Sequence, residues 1–370
     1  MSQNWMRHFE LQILSESGEG ISLSDFKVTF RIEWTDTRWP RVAMVKIYNL
    51  SKDTCSRILG KEFAKIKIIA GYDGMPVENV VDSSELYKPK EIDPSQVGQT
   101  NGTNYGEIFS GEIRFTVTGR DNPTDTCVLI QAIDGHQAFM NASVTTTLAA
   151  GYTVADVHSV LMDSWNPFGL KKGITADAPP TVFPRGKVIY HASRDVMDNV
   201  AAQCGATWQL VAGQVQMVAT DKYIQDVIVL NSDTGLIGMP QQTMGGGLNV
   251  RCLINPNIQI NGLIQIDQAS VYRASLNNQD LYSGRYSESR DANGNLVVTG
   301  KVRDESGKLI DAPPVSQPSS VAADGVYIVY SIDYTGDTRG QPWYMDIMCR
   351  ARNDATMQSQ ASINRSAATQ

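Results

Sequence analysis

The feature that most constrains this chain is alternation with a period of two. "HFELQIL", "FKVTFRIEW", "AMVKIYNL", "AKIKIIAGY", "GEIFSGEIRFTV" and "DTCVLIQAIDG" follow one another between Met6 and Gly135. Each sets apolar residues at every second position or in a short β-rich run. Successive side chains of a strand point to opposite faces, so such runs predict half-buried strands. The pattern returns from about Ile224 in "DVIVLN", "GLNVRCLIN", "NGLIQIDQASV", "GVYIVYSIDYTG" and "PWYMDIMCRA". One run stops abruptly: "VKIY" meets Asn49-Leu50-Ser51, where Ser51 can cap a short helix over Lys52 to Leu59 that Gly60 closes. "NLS" is formally a glycosylation acceptor, but the capping role is the reading adopted here.

Between the two β segments the period changes. "TVADVHSVLMDSW" begins at a capping Thr153 and sets Val154, Val157, Val160 and Leu161 on one helical face. "SRDVMDNVAAQCG" predicts a second helix with Ser193 as cap, Val196, Met197 and Val200 as its apolar side, and Gly205 as its stop. "ATWQLVAGQVQMVA" predicts a hairpin turning at Ala212-Gly213. The expected organisation is a β domain over 1–135, a small α+β domain over 136–222, a second β domain over 223–354 and a polar tail over 355–370. Polar insertions interrupt the β domains at 74–106 and 276–324, the latter with a hairpin expected around Ala292-Asn293-Gly294. A chain of 370 residues exceeds one compact core, which agrees with several domains.

The chemistry is sparse. Five cysteines, Cys55, Cys127, Cys204, Cys252 and Cys349, are far apart with no C-x-x-C pair, so buried free thiols are expected and no metal or disulfide framework. His8, His136, His158 and His191 are dispersed and are read as structural or surface residues. Gly245 to Gly247 precede a strand and not a helix, which fails the context of a phosphate cradle. Asp333, Asp337 and Asp346 lie among aromatic residues, as the paired acids of a glycosidase would. Gly336-Asp337 and Arg339-Gly340, however, have the composition of a turn, with Asp337 placed to pair locally with Arg339. No catalytic, cofactor or metal residues are assigned, and the expectation is a protein that is not an enzyme. A net charge of −7 argues against a protein that grips nucleic acid. No run approaches the roughly 18 apolar residues of a membrane span, and the N-terminus lacks a secretory pattern. Synthesis in a cytoplasm without a membrane anchor is expected.

The ordered series "VKIYNLS", "KIKIIAGY", "IFSGEI" and "TCVLIQAIDG" resembles the first barrel domain of phage baseplate hub proteins, relatives of the hub portion of type VI secretion spike proteins. "MPQQTMGGGLNVRCLINPNIQINGLIQID" and "GVYIVYSIDYTGDTRGQPWYMDIMC" resemble strand pairs of the second. The resemblance implies a mainly β fold: two tail-tube-like β-barrel domains, the α+β insert and inserted loops. It also implies a homotrimer that joins a six-fold tail tube to a three-fold spike. Its partners would be the tail tube protein, the central spike protein, the tape-measure protein and baseplate wedge proteins. DNA would pass through the lumen of a virion tail, one of contractile type, without specific binding. The rival reading is a β-rich cell-wall or glycan hydrolase of the tail tip that uses acidic residues.

Overall fold

The computed structural model describes residues 4, 6–15, 20–59, 64–73, 104–220, 222–224, 227–232, 234–242, 247–266, 288–290, 296–298, 301–303, 309–311 and 325–351. The first β segment supplies β1 (Arg7–Leu14), β2 (Gly20–Ser22), β3 (Val28–Thr35), β4 (Val42–Tyr48), β5 (Lys65–Tyr72), β6 (Asn104–Arg120) and β7 (Thr126–Ile133), with helix α1 (Lys52–Leu59) after β4. The α+β segment follows with α2 (His136–Asn141), β8 (Ser143–Leu148), α3 (Val154–Trp165), β9 (Lys171–Thr175), β10 (Lys187–Ala192), α4 (Ser193–Gln203), β11 (Ala206–Val211) and β12 (Gln214–Ala219). The last segment holds β13 (Val227–Leu230), β14 (Leu236–Gln242), β15 (Gly247–Leu253), β16 (Leu263–Ile266), four short strands β17 (Glu288–Arg290), β18 (Leu296–Val298), β19 (Lys301–Arg303) and β20 (Leu309–Asp311), then β21 (Val326–Asp337) and β22 (Trp343–Ala351).

The fold is mainly β. Strands of the first and last segments share one thirteen-stranded sheet, whose main path runs β14-β15-β22-β21-β3-β4-β7-β6-β5-β1-β2. The link is β21 on β3, antiparallel from Ser331↔Thr35 to Asp337↔Thr29. Alternation does what the sequence predicts: along β3, Val28, Phe30, Ile32 and Trp34 are buried while Arg31 and Glu33 are exposed. The buried faces of both segments contribute to a single core. The sheet curls back on itself, because Phe9 of β1 meets Phe30 of β3 and Trp343 of β22, with ring centroids 5.6 and 6.1 Å away. Gly336 is needed at that contact, since the Phe30 ring occupies the space that a Cβ would take. Arg7 seals the closure by donating to the carbonyls of Gly340 (2.7 Å) and Gln341 (2.9 Å).

The end of β4 is a built corner. Asn49 takes a left-handed conformation (φ 55°), accepts from the Thr126 amide (3.1 Å) and donates to Asp125 (3.0 Å). Asparagine tolerates this conformation better than other side-chain-bearing residues. Ser51 then caps α1, its Oγ accepting from the Thr54 amide at 3.1 Å. Ile58 of the helix is buried and joins the main core. Gly60 lies outside the described residues.

The α+β segment buries its own core around Leu161, Trp165, Met197, Trp208 and Leu210. Thr153 caps α3 in a reciprocal box with Asp156. The buried face of α3 also takes in His158, Met162 and Trp165, while Val160 is only half-buried. Ser193 does not cap α4: Ala192 holds that position, and Ser193 is the first helical residue, its hydroxyl bonded to that of Ser164 at 2.8 Å. Burial decides this, since Ser193 is fully enclosed and its oxygen finds a side-chain partner across α3. Gly205 (φ 59°) ends α4, and Ala212-Gly213 turn the β11–β12 hairpin as expected. Helix α2 and strands β8, β9 and β10 were not read from the sequence. Strand β6 begins at Asn104, inside the stretch read as an insertion over 74–106, and β17 pairs β18 around the expected turn at 292–294.

A buried ion pair joins the α+β segment to the sheet. Arg41, just before β4, donates from Nε (3.0 Å) and Nη2 (2.5 Å) to Asp134 Oδ2, just after β7. The amide of Ala212, in the β11–β12 turn, donates to the same oxygen at 2.9 Å. Trp34 Nε1 reaches Gln209 at 2.7 Å beside it. Burial pushes the Asp134 carboxyl up, and the Arg41 charge and the Ala212 amide oppose that shift.

Asp134→Ala leaves the Arg41 guanidinium buried and uncompensated, and should cost about 3–5 kcal/mol in denaturant unfolding. Replacing both partners together, Arg41→Met with Asp134→Leu, should recover most of that loss. Ser51→Ala, which removes only the α1 cap, should cost about 1 kcal/mol in the same measurement.

Candidate assembly face

Eight consecutive strands of the main path, β14-β15-β22-β21-β3-β4-β7-β6, divide into two sets of four. In the first set the chain order is β3, β4, β6, β7 and the spatial order β3-β4-β7-β6. In the second the chain order is β14, β15, β21, β22 and the spatial order β14-β15-β22-β21. Both sets place a hairpin beside the second strand of a longer hairpin, so the topology is the same twice. The third strand of the later set, β21, pairs with the first strand of the earlier set, β3. That leaves the equivalent positions at the two ends, β6 and β14, as the ends of the run.

Both ends are open along part of their length. β5 pairs with β6 only as far as Glu112, while β7 continues to pair it to Arg120. The Ile113 amide still donates to the Ala64 carbonyl at 2.8 Å, but among the described strands the outer edge of β6 from Arg114 onwards is unpaired, and Phe115 and Val117 stand exposed on it. β14 terminates the sheet at the other side. Its pairing to β15 breaks between Ile237 and Gln241, where Gly238 and Pro240 interrupt the ladder, and Met239 is exposed there. Proline within a sheet belongs on such edges, because it cannot donate to a ladder.

The solvent face of this run carries rows of side chains at matched register. One row reads Arg251, Asp346, Asp333, Glu33, from β15 through β22 and β21 to β3. Arg251 grips Asp346 in a two-point contact of 2.7 and 3.0 Å, and its guanidinium lies over the Tyr344 ring. Arg31 pairs with Glu33 at 3.1 Å, and Lys46 with Asp121 at 2.8 Å. Asp333 is the member left among like charges. Burial pushes its carboxyl up, Glu33 and Asp346 add to that, and Arg31 opposes it.

The structure thus brings two of the three sequence-noted acids together. Asp333 and Asp346 face each other across β21 and β22, while Asp337 sits at the β21–β22 turn and accepts the amides of Arg339 (2.9 Å) and Gly340 (2.8 Å). That bond is the turn chemistry expected of Asp337, made with the Arg339 backbone. His8, His136, His158 and His191 lie on β1, α2, α3 and β10 respectively. All five cysteines are free, with Cys127, Cys252 and Cys349 buried and Cys55 and Cys204 half-buried. Among the described residues no helix is long and apolar enough to cross a membrane. Sequence reasoning missed the repeated topology, because the two sets share strand order and not residues.

No protein-family model matches the sequence, and no curated protein does. Solved structures do match. A tail protein from Neisseria meningitidis MC58 superposes with a TM-score of 0.50 at 8% identity, over 94% of this chain and 98% of that one. The 43 kDa tail protein of prophage MuSo2 from Shewanella oneidensis gives 0.49 at 9% identity, covering 93% and 98%. An E. coli component of the type VI secretion system gives 0.46 at 7% identity, covering 91% and 77%. The resemblance drawn from the sequence holds at the level of fold, on the Neisseria structure.

The Asp333 environment sets a pH dependence. A carboxyl raised in the folded state favours folding most fully below its unfolded pKa, and that contribution is lost as pH rises through the folded value. Asp333→Asn should therefore be more stable than the parent at pH 7. In urea titrations across pH, the gain should shrink to nothing below the ordinary carboxylate range.

Proposed function

We propose that this chain is a structural hub at the tip of a phage tail, and not an enzyme. The observation that carries the reading is the repeated strand order with its open ends. Within one chain the junction between the two four-strand sets is β21 on β3. The same junction between copies would set β6 of one against β14 of the next. A heterologous contact that closes makes a ring. Three copies, each presenting two tube-type units, would give six units around one lumen. That ring would adapt a six-fold tail tube to a three-fold spike.

The edges support this reading. Phe115 and Val117 on β6 and Ile237 and Met239 on β14 are exposed apolar residues beside unpaired backbone, a liability that a neighbouring copy would cover. The interruption at Gly238 and Pro240 would limit the joint ladder to short stretches flanked by side-chain contact. The solvent face of the eight strands would line the channel. Arg251, Arg31 and Lys46 each hold a carboxylate of that face, so the wall offers a polyanion cations that are already paired. DNA would pass without adhering, since retention by a protein comes from cations that displace its counterions. Tail tube, spike and tape-measure proteins would meet the two rims, and wedge proteins the outside. The virion would be the place of action, after assembly in a host cytoplasm.

Electron microscopy of the purified chain should show three-fold particles with six lobes around a lumen. Val117→Asp combined with Met239→Asp should leave single copies that keep the parent's circular dichroism spectrum, because both side chains are exposed, but that unfold at a lower midpoint than the assembled parent. A parent that stays monomeric at every concentration, with or without tail tube protein, would sink the proposal. So would cleavage of peptidoglycan by the parent that Asp333→Asn or Asp346→Asn abolishes.

A further inference from the structure

The α+β segment carries a surface that the hub reading leaves unused. β8 and β10 form a ribbon of two strands, and among the described residues neither pairs with a third. Val144 and Ile189 point inward and join the core of the segment. On the opposite face Tyr190 stands across from Thr145, and Val188 across from Thr147. Tyr190 is 76% exposed and Val188 74%, the highest values among the large hydrophobic residues described.

Soluble proteins blunt free edges with bulges, prolines or charges, lysine above all. Of these the ribbon has only Lys187, at the first position of β10. Its register runs unbroken from Lys187↔Leu148 to Ala192↔Ser143, with no proline inside either strand. Threonine, valine, isoleucine and tyrosine dominate it, the residue types that favour strand pairing. Its charge is also one-sided. Arg185 and Lys187 lie at the start of β10 and on its approach, and no carboxylate occurs between Ala178 and Arg194. From Gln137 to Ala155 there is no charged residue at all, in a chain whose net charge is −7.

We propose that this ribbon is the docking site for an extended acidic segment of a partner protein. The segment adds a third strand through backbone hydrogen bonds, lays its apolar side chains on Val188 and Tyr190, and turns its carboxylates to Arg185 and Lys187. Backbone pairing supplies affinity in this mode, and the alternate side chains supply selectivity. Charge complementarity favours this occupant over a second copy of the ribbon, which would bring like charges together. A nucleic acid would require a denser set of cations.

The test uses the full chain and a fluorescein-labelled peptide that alternates glutamate with valine, followed by anisotropy. Two controls are the lysine-valine peptide and the glutamate-valine peptide with N-methylated amides. The acidic peptide should bind at least about tenfold tighter than either control, a difference of about 1.4 kcal/mol. It should slow amide exchange within 143–148 or 187–192. Val188→Asp with Tyr190→Asp should abolish binding without moving the unfolding midpoint. Lys187→Glu, which keeps the apolar face, should weaken the acidic peptide and strengthen the basic one. Equal binding of all three peptides would overturn the proposal, as would tighter binding of an oligothymidine. Self-association of the chain that Val188→Asp abolishes would reassign the ribbon to contacts between copies.

Discussion

The Arg41–Asp134 pair is the contact on which the arrangement of segments depends. Asp134 directly follows the last strand of the first segment, Arg41 directly precedes β4, and the amide of Ala212 reaches the same carboxylate oxygen. Trp34 and Phe109 flank the guanidinium with their rings. Two charges removed from water tolerate little displacement, because each lost partner leaves the other unsolvated. The pair therefore sets where the α+β core sits against the sheet. Around it, Trp34 to Gln209 and Arg38 to Asp198 extend the same junction outward.

Once the segment is fixed there, the sheet is free to run past it without a break. β21 shifts partner along its own length, pairing β16 at Leu263↔Ile328 and β3 from Ser331 onward. A register shift between Val329 and Ser331 absorbs the change. A bulge adds local twist and redirects a strand. One strand thereby serves two neighbours, and a face of eight strands is continuous from β14 to β6. The same continuity aligns Arg251, Asp346, Asp333 and Glu33 into one row.

Local features were legible wherever a short stretch contained its own cause. Ser51 caps α1 because the amide it satisfies is three residues on. Thr153 and Asp156 form a box for the same reason, and Ala212-Gly213 turns where both residues take positive φ. Ser193 failed as a cap because its hydroxyl bonds to Ser164, a residue that only packing brings near. Strand β10 went unread because its two most apolar outward residues, Val188 and Tyr190, face solvent and so break the expected inside-outside pattern.

By itself the sequence determined most strands of the two β segments, the two longer helices between them, and local features such as the Ser51 and Thr153 caps and the Ala212-Gly213 turn. Those depend on the periodicity of side chains and on hydrogen bonds a few residues apart. Only the tertiary structure decided that β21 lies against β3, that two four-strand sets repeat one order, and that Asp333 is left among carboxylates. Each of those is a pairing between residues hundreds of positions apart, set by which edges remain open after the hairpins form. Nothing in the alternation along one strand specifies which neighbour it takes.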